Sequence, residues 1–310
     1  MTEKPPAAPL TDLLVSLLTA RKQVWDPEVR KALEAAGFSL VPSGFYYPVP
    51  SLADIEQSFE YEEPQPFSHP LLFDAAALAA HLAELQPFAA EFDPPRTGDA
   101  TKPARYHWAQ TMFGYSDAMA YYCMLRRTRP QRVLEIGSGF SSLIALEALA
   151  ANGRGSLLCV EPFPPPFLPD RPGVELYKEK AQALDIAFFN DRLQDGDVLF
   201  IDSTHTVKTG SDVVHLILRI LPYLTARLFV HVHDIFLPGP MPRAWLTERH
   251  LYWAEQYLLY AYLLDNPRVT VLYGSNANRL LNLPLLEAFM GGKAAPGGGS
   301  LWFELRPPPR

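Results

Sequence analysis

The sequence predicts an α/β fold, a doubly wound and mostly parallel sheet that ends in an antiparallel pair of late strands. Three observations predict it. Short apolar strands alternate with helical segments from about residue 105, a glycine-rich loop follows the first strand, and two further strands lie near the end of the chain. Short, continuously apolar strands are typical of a parallel sheet that helices cover on both faces.

The predicted strands are short and apolar, and they cover residues 132–136, 157–160, 197–202, 228–233, 268–273 and 300–305. Helical patterns separate them, at residues 116–127, 141–151, 181–193, 210–221 and about 248–264. Ser116 is expected near the N-cap of the first of these helices. The glycine-rich segment 291–299 is interpreted as a mobile loop.

The first part of the chain has a different composition. Thirteen of the 31 prolines lie in residues 1–100, so we predict a helical, proline-rich N-terminal extension over 1–104 and a second domain over 105–310. Helices are predicted at 10–22, 27–36 and 74–91. The aromatic stretch 44–50 leaves two interpretations open, a loop that packs on the main domain or part of a lid over a pocket.

Charge and cysteine content exclude several classes of protein. The net charge is −7, so a general attraction to nucleic acid is not expected. The two cysteines, Cys123 and Cys159, cannot build a disulfide framework, which fits a reducing compartment. No apolar run approaches the ~18 residues of a membrane span. We therefore expect a cytoplasmic protein that binds neither nucleic acid nor membrane.

A glycine-rich loop, 137–139, joins the first strand to the next helix. Glycines there allow close approach of a ligand, and the helix N-terminus offers free N–H groups. The dinucleotide fingerprint requires a third glycine where Ser142 stands, so a nicotinamide-dependent enzyme is the less favoured alternative. Glu135 at the end of the strand suits a ligand with positive charge, and Glu161 ends the second strand, where an acid can bind ribose hydroxyls.

The segment Val-Leu-Glu-Ile-Gly-Ser-Gly (133–139), together with Glu161 and the strand 197–202, resembles the class I S-adenosylmethionine-dependent methyltransferases, a Rossmann-like family. The chain is most similar to a subgroup with Phe-Ile-Asp-Ser-x-His, here 200–205, and His-Asp-Ile-Phe-x-Pro, here 233–238. The resemblance covers about 105–305 and implies S-adenosylmethionine as cofactor. The subgroup consists mostly of predicted methyltransferases, some near sugar genes, so it implies the cofactor better than the acceptor.

The resemblance also implies roles for single residues. The loop 137–139 would line the methionine and ribose portion, Glu135 would reach the amino group directly or through water, and Glu161 would accept from the ribose hydroxyls. Gln182 would flank the adenine. The implied cofactor-binding set is Glu135, Gly137, Ser138, Gly139, Phe140, Ser141, Glu161, Gln182, Asp202 and Ser203.

Acids and histidines lie at the ends of the strands predicted at 197–202 and 228–233, and the carboxyl ends of these two strands should border one crevice. Asp202, His205, His233 and Asp234 form a set of oxygen and nitrogen donors that could bind a divalent metal ion such as Mg²⁺, with Asp202, His205 and Asp234 as the candidate ligands. Metal-dependent O-methyltransferases, which this arrangement resembles, use the ion to lower the pKa of the acceptor hydroxyl. The sequence departs from their pattern, since it has His-Asp-Ile at the second strand end. Metal-free general-base catalysis by His205 or His233 is the alternative, and structural hydrogen bonding is a third. The candidate catalytic residues are His205, His233 and Asp234.

The expected function is O-methylation of a hydroxylated small molecule or sugar, because a hydroxyl acceptor needs a base or a metal more than an amine does. A non-catalytic protein that keeps the fold for binding is a further alternative. His231 and His215 are interpreted as structural. Aromatic residues on the helix predicted at 248–264 favour packing in the core or in a homodimer.

Overall fold

The structure, a computed structural model, describes residues 11–12, 14–16, 26–41 and 44–309. It divides into two compact units between Gln57 and Ser58. The first contains helices α1 (Pro27–Ala35) and α2 (Leu52–Glu56), and residues 11–12 and 14–16 are also helical. The rest of the helix predicted at 10–22 lies outside the described residues. Residues 58–104, which the sequence prediction assigns to the extension, belong to the second unit.

The second unit alternates helices and strands. Its helices are α3 (Ala75–Ala89), α4 (Tyr115–Thr128), α5 (Phe140–Asn152), α6 (Ile186–Asn190), α7 (Asp212–His215), α8 (Arg243–Thr247), α9 (Glu255–Leu263), α10 (Ser275–Leu281) and α11 (Leu283–Met290). Its strands are β1 (Arg132–Ile136), β2 (Ser156–Val160), β3 (Val174–Tyr177), β4 (Val198–Ile201), β5 (Leu228–Val232), β6 (Val269–Gly274) and β7 (Leu301–Leu305). A π-helical turn, Leu216–Ile220, extends α7. Within the described chain, no helix has the length and apolar character needed to cross a membrane.

The strands form one sheet in the order β3-β2-β1-β4-β5-β7-β6. The pairs from β3 to β5 are parallel, and β7 runs antiparallel to both β5 and β6. The strand order reverses beside β1, where β2 lies on one side and β4 on the other. This arrangement confirms the predicted fold class, and it places the open crevice at the carboxyl ends of β1 and β4.

Helices cover both faces of the sheet, as the apolar strands predict. One face packs Val133 of β1 against α4 and α5, and the other packs Leu134 and Ile136 against residues of β4, β5 and α9. Since side chains alternate along a strand, Glu135 lies on the same face as Val133, beneath α4 and α5. This position decides what Glu135 can reach.

Three predicted helices have different bounds in the structure. The helix predicted at 181–193 is a 3₁₀ turn, Ala181–Ala183, followed by α6, because the side chain of Asp185 accepts from the Phe188 N–H at 3.0 Å and starts a new helix. The helix predicted at 248–264 begins only at Glu255. Gly114 rather than Ser116 precedes α4, and the Ser116 hydroxyl donates to the carbonyl of Gly297.

The region between the two late strands differs most from the prediction. It contains α10 and α11, which the sequence patterns did not reveal, and the segment 291–299 interpreted as a mobile loop is anchored at its end. Gly299 and Ser300 each donate a backbone N–H to the carboxylate of Asp117 at 3.0 Å. The sequence pattern did not indicate these contacts, which connect the end of the segment to α4.

Candidate active site

The glycine loop lies directly against the end of β4. Gly137 has a φ of +80°, and a Cβ atom on it would lie 1.9 Å from the carbonyl oxygen of Asp202. Its own N–H donates to the Val160 carbonyl at 3.0 Å, and the Asp202 N–H donates to Ile136 at 2.8 Å. Only glycine fits this position, and its absent side chain lets the loop touch the backbone of Asp202.

A cavity of about 340 Å³ opens beside this loop, at the ends of β1, β2 and β4. Glu161 lines it with both carboxylate oxygens fixed, since Oε1 accepts from the Phe163 N–H at 2.7 Å and Oε2 from the Ser138 N–H at 3.3 Å. Gln182 lines the far side and donates to the Gly210 carbonyl at 3.2 Å. The shape and the polar groups suit a nucleoside.

A second cavity, of about 480 Å³, adjoins the first. The two share Gly137, Glu161, Asp202 and Ser203 among their lining residues. The second adds further residues of the predicted set, namely Ser138, Gly139, Phe140, Ser141, His205, His233 and Asp234. The structure therefore brings the predicted site residues together around two joined cavities, with one exception.

The exception is Glu135, which is completely buried behind the glycine loop. Its carboxylate accepts from the Tyr121 hydroxyl at 2.8 Å and from the Ser142 hydroxyl, and Ser142 Oγ accepts from the Gly139 N–H at 3.2 Å. Burial raises the pKa of Glu135 to about 7, although these hydrogen bonds oppose the rise. Glu135 lines neither cavity, and its carboxylate contacts the loop from behind, through Ser142.

His233 follows β5 and points one nitrogen into the second cavity. Its Nε2 lies 3.3 Å from Oδ2 of the buried Asp117. Its Nδ1 lies 3.4 Å from Asp202 Oδ1 and 3.9 Å from Asp234 Oδ1, with no aligned hydrogen bond to any described residue. Burial opposes protonation, yet the surrounding carboxylates hold the pKa of His233 well above its usual range.

Asp117, on α4, fixes the orientation of His233. It accepts from the Ser275 hydroxyl at 2.5 Å and from the backbone N–H groups of Gly299 and Ser300. Only 3% of its surface is exposed. A carboxylate with this many donors cannot rotate, so it holds His233 with Nδ1 toward the cavity.

His205 has a matching carboxylate behind it. Its Nδ1 lies 2.7 Å from Oε2 of the buried Glu255, which also accepts from the Ser203 hydroxyl at 3.1 Å. Its Nε2 faces Asp202 Oδ1 at 3.3 Å and Asp234 Oδ2 at 3.7 Å. Burial opposes protonation, but hydrogen bonds to Asp202 and Glu255 raise the pKa of His205 to about 10. His205 and Asp234 both have left-handed backbones, with φ of 56° and 55°, the kind of strain that clusters at functional sites.

Ligand atoms of Asp202, His233 and Asp234 lie within 4.8 Å of one another. The metal-ligand set predicted from the sequence was Asp202, His205 and Asp234, so in this group of described residues His233 stands in place of His205. Although burial favours the neutral acid, the charges of both histidines lower the pKa of Asp202 well below its usual range. One imidazole nitrogen and two carboxylates form a donor set typical of a divalent cation site.

Comparison with known proteins gives a family match for the central part of the chain. Residues 134–235, from β1 to just beyond β5, match a family model described as a methyltransferase domain. This part of the chain is a methyltransferase domain. An uncharacterized protein of Archaeoglobus fulgidus is 29% identical to this chain over 185 residues, which cover 56% of this chain and 80% of the relative.

Solved structures of O-methyltransferases are also similar to this chain. The O-methyltransferase TomG of Streptomyces achromogenes, in complex with S-adenosylmethionine, is 18% identical, with a TM-score of 0.38, over 74% of this chain and 90% of that one. An O-methyltransferase of Bacillus cereus, in complex with S-adenosylhomocysteine, is 12% identical, with a TM-score of 0.36, over 73% and 91%.

The sequence reasoning missed Asp117 and Glu255. Each is an acid in the first turn of a helix otherwise rich in apolar residues, which was the available signal. The two histidines interpreted as structural have structural contacts. His231 Nε2 lies 2.7 Å from the Ser300 hydroxyl, and His215 Nε2 lies 2.8 Å from the Leu184 carbonyl.

Proposed function

We propose that this protein is an S-adenosylmethionine-dependent methyltransferase that transfers the methyl group to a hydroxyl oxygen of a small molecule in the second cavity. The proposal rests on the arrangement of His205, His233, Asp202 and Asp234 in the second cavity, which we call the cavity floor. Two histidines, each backed by a buried carboxylate, face Asp202 and Asp234 next to the glycine loop. Such a floor serves the deprotonation that a hydroxyl acceptor requires.

The polar groups of the first cavity support one orientation of the cofactor. The adenine would lie by Gln182, the ribose hydroxyls would donate to Glu161, and the methionine portion would lie along Gly137 to Gly139. Asp202 lines both cavities, so the methyl group would lie near it, where they join. This placement supports Gly137, Ser138, Gly139 and Glu161 as cofactor-binding residues.

A divalent cation such as Mg²⁺ fits the floor, with Asp202, His233 and Asp234 as its ligands. His233 Nδ1 is buried without an aligned hydrogen bond and faces both carboxylates, which is how a metal ligand stands in the absence of its metal. When bound, the cation would lower the pKa of the acceptor hydroxyl. Asp117 would keep Nδ1 of His233 available, because its carboxylate accepts from Nε2.

Every bond and proton of the methyl transfer can be accounted for with the residues present. The acceptor oxygen forms a bond to the methyl carbon while the carbon–sulfur bond breaks, and the electron pair of that bond neutralises the sulfonium to give S-adenosylhomocysteine. The hydroxyl proton moves to Nε2 of His205 in the neutral form of that ring, whose Nδ1–H donates to Glu255. Because the pKa of His205 is raised to about 10, this form becomes more abundant, and the transfer faster, as the pH rises toward 10. Holding the methyl donor and the acceptor oxygen in line, about 3 Å apart, would contribute to the rate acceleration.

Two binding measurements test the proposal. Calorimetry with S-adenosylhomocysteine should show binding to the wild type and to His233→Ala, and Mn²⁺ titration followed by electron paramagnetic resonance should show loss of affinity by about 100-fold or more in His233→Ala. The exposed His250→Ala is the matched control and should bind Mn²⁺ like the wild type.

The outcomes separate the parts of the proposal. A wild type that does not bind S-adenosylhomocysteine would overturn the cofactor assignment. A wild type that binds S-adenosylhomocysteine but no Mn²⁺ would overturn the metal site and leave His205 or His233 as a metal-free base.

A further inference from the structure

A glycine-rich strap, residues 297–300, passes behind the cavity floor. We infer that Gly298 in this strap is a positioning residue for the cation site, although it lines neither cavity. Its missing side chain leaves the space that the carboxylate of Asp117 occupies, and Asp117 orients His233. This role rests on the proposed function, because His233 is one of the proposed cation ligands.

The strap contacts the chain next to two of the three proposed ligands. The Ile235 N–H, one residue after Asp234, donates to the Gly299 carbonyl at 2.6 Å. On the other side, the Gly299 N–H donates to Asp117 Oδ2 at 3.0 Å, and the same oxygen lies 3.3 Å from Nε2 of His233. The position of the strap therefore bears on both His233 and Asp234 from behind the floor.

Gly298 lies where a side chain would collide with this arrangement. Its φ is +114°, which glycine adopts far more readily than other residues. A Cβ atom on it would lie 2.5 Å from the carboxyl carbon of Asp117, and closer still to both carboxylate oxygens.

The Asp117 carboxylate cannot move aside without loss. It is buried, and it accepts hydrogen bonds from Ser275, Gly299 and Ser300. A side chain at position 298 would either push the carboxylate away from His233 or push the strap away from the carboxylate. Both movements break hydrogen bonds to a buried charge, and both change how His233 is held.

The same glycine-rich segment contains a residue that can serve as a control. Gly292 also has a left-handed backbone, with φ of +73°, but a Cβ atom on it would lie more than 4 Å from every described neighbour. Gly292→Ala therefore adds backbone strain without displacing a side chain. Contact with Asp117, rather than a glycine's backbone conformation alone, gives Gly298 its role.

The dependence of the cation site on the strap must also act in reverse, because coupling between two equilibria is reciprocal. A cation bound at Nδ1 of His233 would fix the ring, and the ring's Nε2 would fix the carboxylate of Asp117, which accepts from the strap. Cation binding should therefore make the strap open less often. The backbone N–H groups of Gly299 and Ser300 report that opening, since they exchange with solvent only when their hydrogen bonds break.

Mn²⁺ titration followed by electron paramagnetic resonance, together with calorimetry with S-adenosylhomocysteine, tests this role. Gly298→Ala should bind Mn²⁺ about tenfold more weakly and bind S-adenosylhomocysteine like the wild type. Gly292→Ala should match the wild type in both measurements. In the double variant Asp117→Ala/Gly298→Ala the added methyl group meets no carboxylate, so its Mn²⁺ affinity should equal that of Asp117→Ala alone.

Hydrogen exchange of the wild type, followed by mass spectrometry, tests the same coupling without any substitution. Saturating Mn²⁺ should slow exchange about tenfold in a peptide that contains Gly299 and Ser300, the same factor by which Gly298→Ala weakens Mn²⁺. A peptide that ends at Gly292 should exchange at an unchanged rate. If Gly298→Ala does not fold, this measurement decides.

Several results would overturn the role of Gly298. They are wild-type Mn²⁺ affinity in Gly298→Ala, exchange that Mn²⁺ does not slow, and an equal loss of Mn²⁺ affinity in Gly292→Ala. A double variant that binds Mn²⁺ more weakly than Asp117→Ala would do the same, because backbone strain would then explain the loss. None of these results affects the proposed function, provided that the wild type binds Mn²⁺ and S-adenosylhomocysteine. A wild type that binds no Mn²⁺ would overturn the cation site and the role of Gly298 together, and one that does not bind S-adenosylhomocysteine would overturn the proposed function itself.

Discussion

The two halves of the site are built in different ways. The cofactor half comes from neighbouring stretches of chain, since β1, the loop 137–139 and the start of α5 are continuous and Glu161 directly follows the adjacent strand β2. The acceptor half is assembled from distant stretches. His233 is oriented by Asp117 of α4, and His205 by Glu255 of α9.

The difference shows which part of a site is free to change. A local strand–loop–helix unit keeps its geometry from its own backbone, as the contact between Gly137 and Asp202 illustrates. The acceptor half depends on carboxylates that other elements bring to it. We infer that cofactor binding tolerates changes in the acceptor half, whereas metal binding and acceptor binding are sensitive to remote helices.

Three variants test this difference between the two halves, and the largest effect is expected in the cofactor half. Glu161→Ala should weaken S-adenosylhomocysteine about 10- to 150-fold, because charged hydrogen bonds contribute about 1.5–3 kcal/mol. Calorimetry measures the affinity, and the exposed Glu175→Ala serves as the control. Mn²⁺ affinity should stay unchanged in Glu161→Ala. Unaltered binding of S-adenosylhomocysteine would remove Glu161 from the cofactor site.

The comparison also explains what the sequence could reveal. Periodicity and apolar runs predict most of the helices and strands, and the loop 137–139 marks the end of the first strand. The motifs after β4 and β5 correctly predict that Asp202, His205, His233 and Asp234 share a cavity, because parallel strands end on one side. Topology alone is enough for that step.

Side-chain direction was not predictable in the same way. Glu135 was expected at the ligand, but alternation along β1 turns it toward α4 and α5, where it is buried. Likewise, whether His205 or His233 joins the two aspartates depends on Asp117 and Glu255, and no local pattern pairs residues so far apart in the chain. The anchored end of the segment 291–299 is a further result of Asp117.

Asp117→Asn tests the dependence of the acceptor half on a remote helix. An amide cannot accept from both backbone N–H groups and from His233 Nε2, so the histidine should turn or change tautomer. We expect Mn²⁺ affinity to fall about tenfold, the lower end for losing a group that orients a metal ligand.

The control for Asp117→Asn is Ser275→Ala, which removes one hydrogen bond but keeps the carboxylate beside His233. It should lower Mn²⁺ affinity less than Asp117→Asn does. Binding of S-adenosylhomocysteine should remain at the wild-type level in both variants. Equal losses of Mn²⁺ and S-adenosylhomocysteine in Asp117→Asn would contradict the separation of the two halves and indicate general damage to the fold.

The smallest expected effect concerns Glu135, which belongs to the cofactor half but lies outside both cavities. Because burial raises its pKa to about 7 in the folded protein, the folded state keeps a proton that the unfolded chain releases at lower pH. The unfolded state then binds fewer protons between the two pKa values, so the free energy of unfolding falls as pH rises. From pH 6 to pH 8 this single group should lower it by about 1 kcal/mol.

Glu135→Gln removes that titration while keeping the shape of the side chain. From pH 6 to pH 8, the free energy of unfolding of the wild type should fall by about 1 kcal/mol relative to that of Glu135→Gln. Urea unfolding at each pH measures this difference. The other titrating groups are common to both proteins and cancel in the difference. Because Glu135 holds the loop from behind through Ser142, S-adenosylhomocysteine should lose less affinity in Glu135→Gln than in Glu161→Ala. A difference in stability that is independent of pH would show that Glu135 is already ionised in the folded protein, and an affinity loss as large as that of Glu161→Ala would place its carboxylate at the ligand.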